Sequence, residues 1–211
     1  MQLFVDRLVN FLFPQRCVSC KREGTFFCLK CFGSLQQAIA KKDTIGDLQV
    51  HSLFQEYRDP CALQLTQLLK YNFCSAVEEV IETMLQKRTI TIKRPAILVP
   101  IPLHPRRLAW RGFNQSRIIA TMIAKQYEIE LQDLLVRTHY VRPQVGLSKT
   151  ARAENMLRAF DPRDRLQLDP TYTYYLIDDV ITTGATMNSA AQTLRSVGAL
   201  HLEGIAIVKA A

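Results

Sequence analysis

The sequence has no apolar run that approaches the roughly 18 residues needed to cross a bilayer. Its apolar opening, residues 1–13, is interrupted by Asp6, Arg7 and Asn10, and no small-residue cleavage site follows it. We therefore expect an amphipathic helix here and not a signal peptide. Docking on the protein's own core is the expected role of this helix, with contact to a membrane surface as the less favoured alternative. Without a membrane span, the expected location is the cytoplasm.

Internal repeats and low-complexity tracts are also absent, so a repeat architecture is not expected. The 211 residues, of which 48% are hydrophobic and 22% charged, suffice for one α/β core and a small appendage. From about residue 60 onward, helical and strand patterns alternate, which predicts an α/β fold with a mainly parallel sheet flanked by helices. We predict a small module at 1–46 and the α/β domain at 47–211.

Acidic residues are scarce in the middle of the chain. Residues 86–165 contain 16 Lys/Arg and 6 Asp/Glu, a net charge of +10, whereas the whole chain carries +8 and the remainder therefore −2. A basic segment of this kind suits a polyanion, either pyrophosphate or a nucleic-acid backbone. An ordinary solvated basic surface remains the alternative.

Two Cys-x-x-Cys pairs lie close together in the first module. Cys17 and Cys20 are separated from Cys28 and Cys31 by seven residues, a spacing typical of an all-cysteine zinc site. Four sulfur ligands fill the tetrahedron, so we predict a structural zinc ion. Disulfides are the competing interpretation, although a cytosolic location disfavours them. A redox pair is less favoured still, because two motifs face each other.

An apolar run that ends at Ile177 is followed by two acids and a hydroxyl-rich turn, without the Gly-Lys-Ser/Thr ending of a Walker loop. Consecutive N–H groups and Thr hydroxyls before a helix form an anion site, and Gly184 permits a positive φ. Two acids beside a phosphate site would repel phosphate, but they can bind the hydroxyls of a sugar whose phosphate lies in the turn. The competing interpretation is a capped strand–turn–helix junction without a ligand. The predicted binding residues are Asp178, Asp179, Thr182, Thr183, Gly184, Ala185 and Thr186.

A basic turn follows a second predicted strand at residues 96–102. The prolines of this segment prevent the strand from continuing, so the chain must turn out of the sheet. Arg106, Arg107 and Arg111 follow, and guanidinium groups match phosphate oxygens. We predict that these arginines bind pyrophosphate and that Asn114 caps the next helix.

Further candidate cations lie outside this turn. Lys70 ends a predicted helix and is a candidate phosphate ligand, although a favourable interaction with the helix dipole explains it equally well. The polar, basic segment 138–158 is a candidate mobile lid. Its candidate ligand residues are Arg142, Lys149, Arg152 and Arg158.

The Asp-Asp-Val and Thr-Thr-Gly-x-Thr pattern resembles the phosphoribosyl-pyrophosphate (PRPP) signature of type I phosphoribosyltransferases. That resemblance implies that Asp178 and Asp179 bind the ribose 2′ and 3′ hydroxyls and that residues 182–186 hold the 5′-phosphate. Relatives often have glycine where this chain has Ala185. A methyl group is tolerated at that position if φ is negative.

The order of the motifs along the chain is more specific than any one motif. The paired cysteines precede Val-Pro-Ile-Pro-Leu-His-Pro-Arg-Arg (99–107) and Arg-Gly-Phe-Asn-Gln (111–115), and the Asp-Asp turn comes last. This order is similar to that of the ComF family, phosphoribosyltransferase-like proteins associated with bacterial DNA uptake in natural transformation, whose relatives include GntX-type proteins. The resemblance implies a zinc-finger module, a type I phosphoribosyltransferase fold, a PRPP-type ligand with Mg²⁺, and handling of incoming single-stranded DNA on the cytoplasmic side. Proteins of the DNA-uptake machinery are implied partners.

Three functions remain open at this point. The first is a DNA-uptake protein that binds PRPP and single-stranded DNA. The second is an active phosphoribosyltransferase that transfers ribose 5-phosphate to a nitrogen nucleophile, and the third is a PRPP-sensing regulator without catalysis. No residue is assigned a catalytic role, and the sequence names no acceptor.

Overall fold

The computed structural model describes residues 16, 17, 19–25, 28–31, 33, 41–55, 75–87, 90–138, 159–163 and 166–209. The predicted N-terminal helix lies outside the described residues, as do the candidate cations Lys70, Arg142, Lys149, Arg152 and Arg158. Among the residues that are described, no helix is long and apolar enough to cross a membrane.

Strands and helices alternate through most of the described chain. The strands are β1 (Lys41–Ile45), β2 (Leu48–Gln55), β3 (Ala96–Pro100), β4 (Glu130–Leu131), β5 (Leu135–Arg137), β6 (Phe160–Pro162), β7 (Thr173–Ile181) and β8 (His201–Lys209). The helices are α1 (Ser75–Lys87), α2 (Pro105–Arg111), α3 (Gln115–Tyr127) and α4 (Ala185–Arg195).

One six-stranded sheet organises these elements, in the order β1-β2-β8-β7-β3-β4. Only β1 is antiparallel to its neighbour, whereas β2, β8, β7, β3 and β4 pair in parallel. β5 and β6 form a separate antiparallel pair. The predicted α/β class with a mainly parallel sheet is confirmed.

After Thr173, the first half of strand β7 carries large aromatic and aliphatic side chains, because both of its faces are covered. Tyr175 and Ile177 pack in the cluster formed with α1 and α3, while Tyr174 and Leu176 pack in the cluster formed with α4. All four side chains are at most 1% exposed. The strand is thereby held rigidly in the middle of the molecule, and its polar second half emerges at the carboxyl edge of the sheet.

The N-terminal edge of the sheet differs from the prediction. Residues 41–45, which the sequence patterns do not identify as a strand, form β1 and pair with β2 across the turn at Gly46 and Asp47. Strand β2 therefore lies between β1 and β8. The predicted domain boundary after residue 46 falls in this hairpin. Residues 34–40 lie outside the described ranges, so the extent of the N-terminal module stays a prediction.

Candidate functional site

The carboxyl ends of β3 and β7 form the centre of the candidate site. These strands pair in parallel up to Pro100 and Ile177, and Ile101 N donates one further bond to Ile177 O at 3.0 Å. The chain then leaves the sheet and begins α2 at Pro105, as its prolines predicted. Both the acidic residues of β7 and the basic turn after β3 therefore reach the same edge of the sheet.

Asp178 is held in a network that begins at the cap of α3. Asn114 Oδ1 accepts from Ser116 N at 3.1 Å, and Asn114 Nδ2 donates to Ile101 O at 3.1 Å. The predicted helix cap is thus confirmed, and it also ties α3 to the end of β3. Ser116 Oγ in turn donates to Asp178 Oδ1 at 2.9 Å, which fixes that carboxylate.

Asp178 is more enclosed than a solvent-facing carboxylate. Burial, followed by the neighbouring charge of Asp179, raises the pKa of Asp178 well above its usual value. The backbone N–H of Asp179 donates to Asp178 Oδ1 at 2.9 Å and only partly offsets this effect. Asp178, like Asp179, is partly exposed at the cleft.

The turn after β7 encloses a small cavity of about 80 Å³. Gly184 has a φ of 75°, and a Cβ at this position would lie 2.4 Å from Ile45 Cγ2, so β1 packs directly beneath the turn. Ala185 begins α4, and its methyl group is compatible with helical backbone. The lining of this cavity includes every residue of the predicted phosphate turn: Thr182, Thr183, Gly184, Ala185 and Thr186.

A larger cleft of about 580 Å³ adjoins this cavity, with Asp178 and Thr186 lining both. The three arginines of the predicted basic turn line the cleft together with both acids. The complete lining is Ile101, Pro102, Leu103, Arg106, Arg107, Trp110, Arg111, Gln115, Ser116, Arg137, Asp178, Asp179 and Thr186.

Arg137 is a cation of this cleft that the sequence analysis did not assign. It ends β5, and its guanidinium lies 5.2 Å from the ring centroid of Phe160 on β6. Burial and the nearby Arg107 lower the pKa of Arg137, while Asp178 acts in the opposite direction. The ring of Phe160 thus orients the guanidinium, which lies close enough to Arg107 and Asp178 to interact with their charges. In the sequence, the place of Arg137 directly after the apolar run 134–136 was the available signal.

Gln115, Ser116 and Trp110 also line the cleft without having been predicted as site residues. Gln115 is 1% exposed, and its Nε2 atom has no hydrogen-bond partner within the described ranges. A buried donor without a partner is costly and is uncommon in folded proteins. In the sequence, Gln115 belongs to the Arg-Gly-Phe-Asn-Gln segment and Trp110 and Ser116 flank it directly, which was the only available signal.

The four predicted cysteines form a second cluster. Their sulfur atoms all lie within 4.8 Å of one another, and three of the four residues are buried. A tetrahedral zinc site with Zn–S distances of about 2.3 Å would place its sulfurs about 3.8 Å apart, so the cluster fits a bound metal ion. All four are free cysteines, which disfavours the disulfide interpretation.

The thiols of this cluster differ in their acidity. Burial disfavours the Cys17 thiolate, but hydrogen bonds from the backbone of Cys20, Cys28 and Ser19 outweigh it and lower the pKa of Cys17 to about 6. Burial raises the pKa of Cys31 to about 12. Cys28 N also donates to Cys17 Sγ at 3.4 Å, which links the two pairs.

Comparison with known proteins gives related sequences over most of the chain. It is 27% identical to Competence protein F of Haemophilus influenzae and 29% identical to DNA utilization protein YhgH of Escherichia coli, in each case over 89% of this chain and 81% of the relative. The YhgH protein of Salmonella typhimurium is 31% identical over 74% of this chain and 63% of its own. The chain belongs to the ComF family. No protein-family model matches it.

Among solved structures, the allosteric regulatory enzyme of purine biosynthesis matches 66% of this ComF-family chain and 30% of its own chain, with 13% identity and a TM-score of 0.38. The matched region is thus less than a third of that enzyme.

The predicted site residues of this ComF-family protein fall into two groups. The acids, the phosphate turn and the three arginines come together at one edge of the sheet, and the four cysteines come together in the N-terminal module. Lys70 and the predicted lid residues lie outside the described part of the chain.

Proposed function

We propose that the protein binds PRPP or a related phosphoribosyl ligand with Mg²⁺ and acts in DNA uptake. The observation that carries this proposal is the shared lining of the two cavities. Asp178 and Thr186 belong to both, so a phosphate in the small cavity is adjacent to a sugar against the acids. The arginines of the large cleft then face the remaining phosphates of the ligand.

Each part of the site has a role in this proposal. Asp178 and Asp179 accept hydrogen bonds from ribose hydroxyls, and the turn at the N-terminus of α4 donates N–H and hydroxyl groups to the 5′-phosphate. Arg106, Arg107 and the stacked Arg137 bind pyrophosphate oxygens. The carboxylates of the cleft also suit Mg²⁺, which prefers oxygen ligands. When bound, this ion supplies positive charge to the pyrophosphate and ribose oxygens.

A role with single-stranded DNA is supported by the relatives and by charge. Two of the relatives are named for competence and DNA utilization. Residues 86–165 carry a net charge of +10, and part of that charge is concentrated in the cleft. Binding through phosphates predicts that affinity falls linearly with the logarithm of salt concentration. The same proposal places the protein in the cytoplasm. It also includes proteins of the DNA-uptake machinery as partners.

The metal of the cysteine cluster is proposed to be zinc with a structural role. Four sulfur ligands leave no open coordination position, and thiolates select zinc among the abundant divalent ions. Metal analysis of the purified protein should give one zinc per chain. Protein without zinc would contradict this assignment.

A second candidate is the transfer of ribose 5-phosphate from PRPP to a nitrogen nucleophile. It is favoured by the size of the cleft, about 580 Å³, within the range of about 300–1,000 Å³ typical of small-molecule sites. Pyrophosphate release with candidate bases, in the presence and absence of single-stranded DNA, distinguishes transfer from binding. The absence of release with intact PRPP binding would favour a DNA-handling protein or a PRPP-sensing regulator.

The ligand assignment is tested by calorimetric titration of PRPP with Mg²⁺. Asp179→Asn keeps the shape of the side chain and replaces one acceptor oxygen with a donor. Loss of one charged hydrogen bond, about 1.5–3 kcal/mol, should lower affinity by roughly tenfold to over a hundredfold. Glu82→Asn, an exposed change on α1 outside the cleft lining, is the control. No binding by the wild type, or equal binding by Asp179→Asn, would overturn the assignment.

A further inference from the structure

Helix α2 presents an aromatic side chain that packing does not explain. None of its residues is buried, and Trp110 is 76% exposed. Trp110 is also the single tryptophan of the chain. A large aromatic ring left in water beside a cleft forgoes the free energy that burial would provide, and such rings commonly contact a ligand.

The surroundings of Trp110 indicate the chemistry of that ligand. Arg106 and Arg107 lie on the same short helix and line the same cleft as the ring. An aromatic face beside cations is the arrangement that binds single-stranded nucleic acid, because bases stack on the ring while phosphates meet the charges.

Leu108, the other exposed large apolar side chain of α2, does not line the cleft. Of the other apolar residues that line the cleft, Ile101 is buried and Pro102 and Leu103 are partly buried. Trp110 is therefore the one exposed large apolar side chain in the described lining, which does not form an apolar groove for a protein segment.

We propose that Trp110 is a stacking platform for a nucleobase, with the phosphate of the same nucleotide bound by Arg106 and Arg107. This inference deepens the proposed function and rests on it, since the base enters the cleft that contains Asp178 and Asp179. The ligand class is a base-bearing nucleotide, either free or at the end of a single strand. The cleft thus contacts the phosphoribosyl ligand through its acidic residues and a nucleobase through Trp110, and Arg106 and Arg107 serve the phosphates of either ligand.

The single tryptophan makes fluorescence a direct test on the full-length protein. The ligands are a short oligothymidylate, thymidine 5′-monophosphate, and an abasic deoxyribose-phosphate oligomer of the same length. Stacking predicts that the oligothymidylate quenches Trp110 emission and that the abasic oligomer does not, even where its phosphates bind. Quenching by the monophosphate as well identifies free nucleotides as ligands, whereas quenching by the oligomer alone identifies the strand.

Variants separate stacking from charge. Trp110→Ala should weaken binding of labelled oligothymidylate, measured by anisotropy, by roughly fivefold to over a hundredfold. Trp110→Phe should retain much of the affinity, and the control Leu108→Ala should retain all of it. Circular dichroism checks that each variant is folded. Equal affinity for oligothymidylate and abasic oligomer, or unchanged affinity in Trp110→Ala, would overturn the inference.

A titration of PRPP and Mg²⁺ in the same preparations distinguishes this inference from the proposed function. Both are supported if the wild type binds PRPP and Trp110→Ala loses base-dependent affinity. If wild-type protein fails to bind PRPP but shows base-dependent quenching, the stacking site stands and the PRPP assignment fails. If PRPP binds and no base dependence is found, the PRPP assignment stands and the stacking site fails.

Discussion

Neighbouring strands of the central sheet carry two carboxylates, Glu203 on β8 and Asp178 on β7. The side chains nearest to Glu203 are basic, whereas an acidic side chain lies beside Asp178. Glu203 Oε1 lies 2.7 Å from Lys93 Nζ, and Glu203 Oε2 lies 2.9 Å from His51 Nε2. Burial alone would raise the pKa of Glu203, but the hydrogen bonds from Lys93 and His51 lower it. Its charge is therefore matched within the fold.

Among the residues that the structure describes, Asp178 has no such cationic partner at comparable distance. Its hydrogen-bond donors are Ser116 Oγ and the N–H of Asp179, both neutral, and the Asp179 carboxylate adds a like charge beside it. Burial and this like charge raise its pKa. The cations of the cleft, among them Arg106 and Arg107, line the same cavity of about 580 Å³, which leaves room for a ligand beside the acids.

The difference separates a structural carboxylate from a binding one. A fold that stabilises itself matches a buried charge, as at Glu203, whereas a binding site keeps charges unmatched until the ligand arrives. The unmatched charge of Asp178 destabilises the unliganded protein. Ribose hydroxyls and Mg²⁺ stabilise this charge when the ligand binds. The two residues should therefore respond to mutation in opposite directions.

The largest effect is expected for Glu203→Ala. Removing one partner of a buried charge pair costs about 3–5 kcal/mol, and the lower end applies because the Lys93 side chain is 67% exposed. We expect about 3 kcal/mol less free energy of unfolding at neutral pH in urea denaturation, with unchanged PRPP affinity. Glu82→Ala, on the exposed face of α1, should change stability little. A stable Glu203→Ala variant would contradict the structural role.

The pH dependence sharpens this prediction. Because the pKa of Glu203 is lowered in the folded protein, its stabilising contribution is present above the ordinary glutamate pKa. That contribution is lost as the pH falls through the folded-state pKa. Wild type and Glu203→Ala should therefore approach each other in stability under acid conditions, and a constant difference across the range would contradict the ionic origin.

Asp178→Asn should act in the opposite direction on stability. Since the folded state raises the pKa of Asp178, wild-type protein loses stability as the pH rises from the ordinary aspartate pKa toward the folded-state value. Asparagine carries no charge and keeps an acceptor for Ser116 Oγ–H. The variant should have a higher Tm at neutral pH by a few degrees, since each kcal/mol corresponds to roughly 2–4 °C at this size.

The same variant should bind the ligand less well. PRPP affinity is expected to fall by roughly tenfold or more, because a carboxylate oxygen is replaced by a donor. The gain in Tm should vanish at acid pH, where wild-type Asp178 is also neutral. A lower Tm at neutral pH, or a gain that persists in acid, would show that Asp178 is a structural carboxylate like Glu203.

The same contrast explains how much the sequence could predict. Asp178, Asp179 and the threonine turn are contiguous, so their strand–turn–helix context is local and readable. The cysteine cluster is equally local. Glu203 and its partner His51 are 152 residues apart, so their pairing depends on β2 lying beside β8.

The rest of the cleft required the topology as well. Arg137 reaches it from β5 and stacks on Phe160 of β6, two short strands outside the main sheet. Ser116 reaches Asp178 because α3 packs against β7. No spacing within the sequence brings these residues together. The weakly alternating, polar β1 was missed for a related reason, since its strand conformation depends on pairing with β2.

The smallest effect is expected among the arginines that line the cleft, for Arg137→Lys. Lysine keeps the positive charge but loses the planar fork and the stack on Phe160, and such cation–π contacts contribute about 0.5–2 kcal/mol. Pyrophosphate affinity, measured by calorimetry, should fall by roughly twofold to thirtyfold. The pH profile of stability should keep the downward slope that Asp178 produces, because the acidic side of the cleft is unchanged.

Two further variants identify the cause of that loss. Arg137→Gln removes the charge and should weaken pyrophosphate binding more than Arg137→Lys does, since the anion then loses an ionic partner as well as a fork. Arg163→Gln, an exposed change beyond β6 and outside the cleft lining, removes the same charge and should leave affinity nearly unchanged at moderate salt. If Arg163→Gln matches Arg137→Gln, net charge alone attracts the anion. The position of Arg137 in the cleft would then not matter for binding, and the contrast with the matched charge of Glu203 would fail.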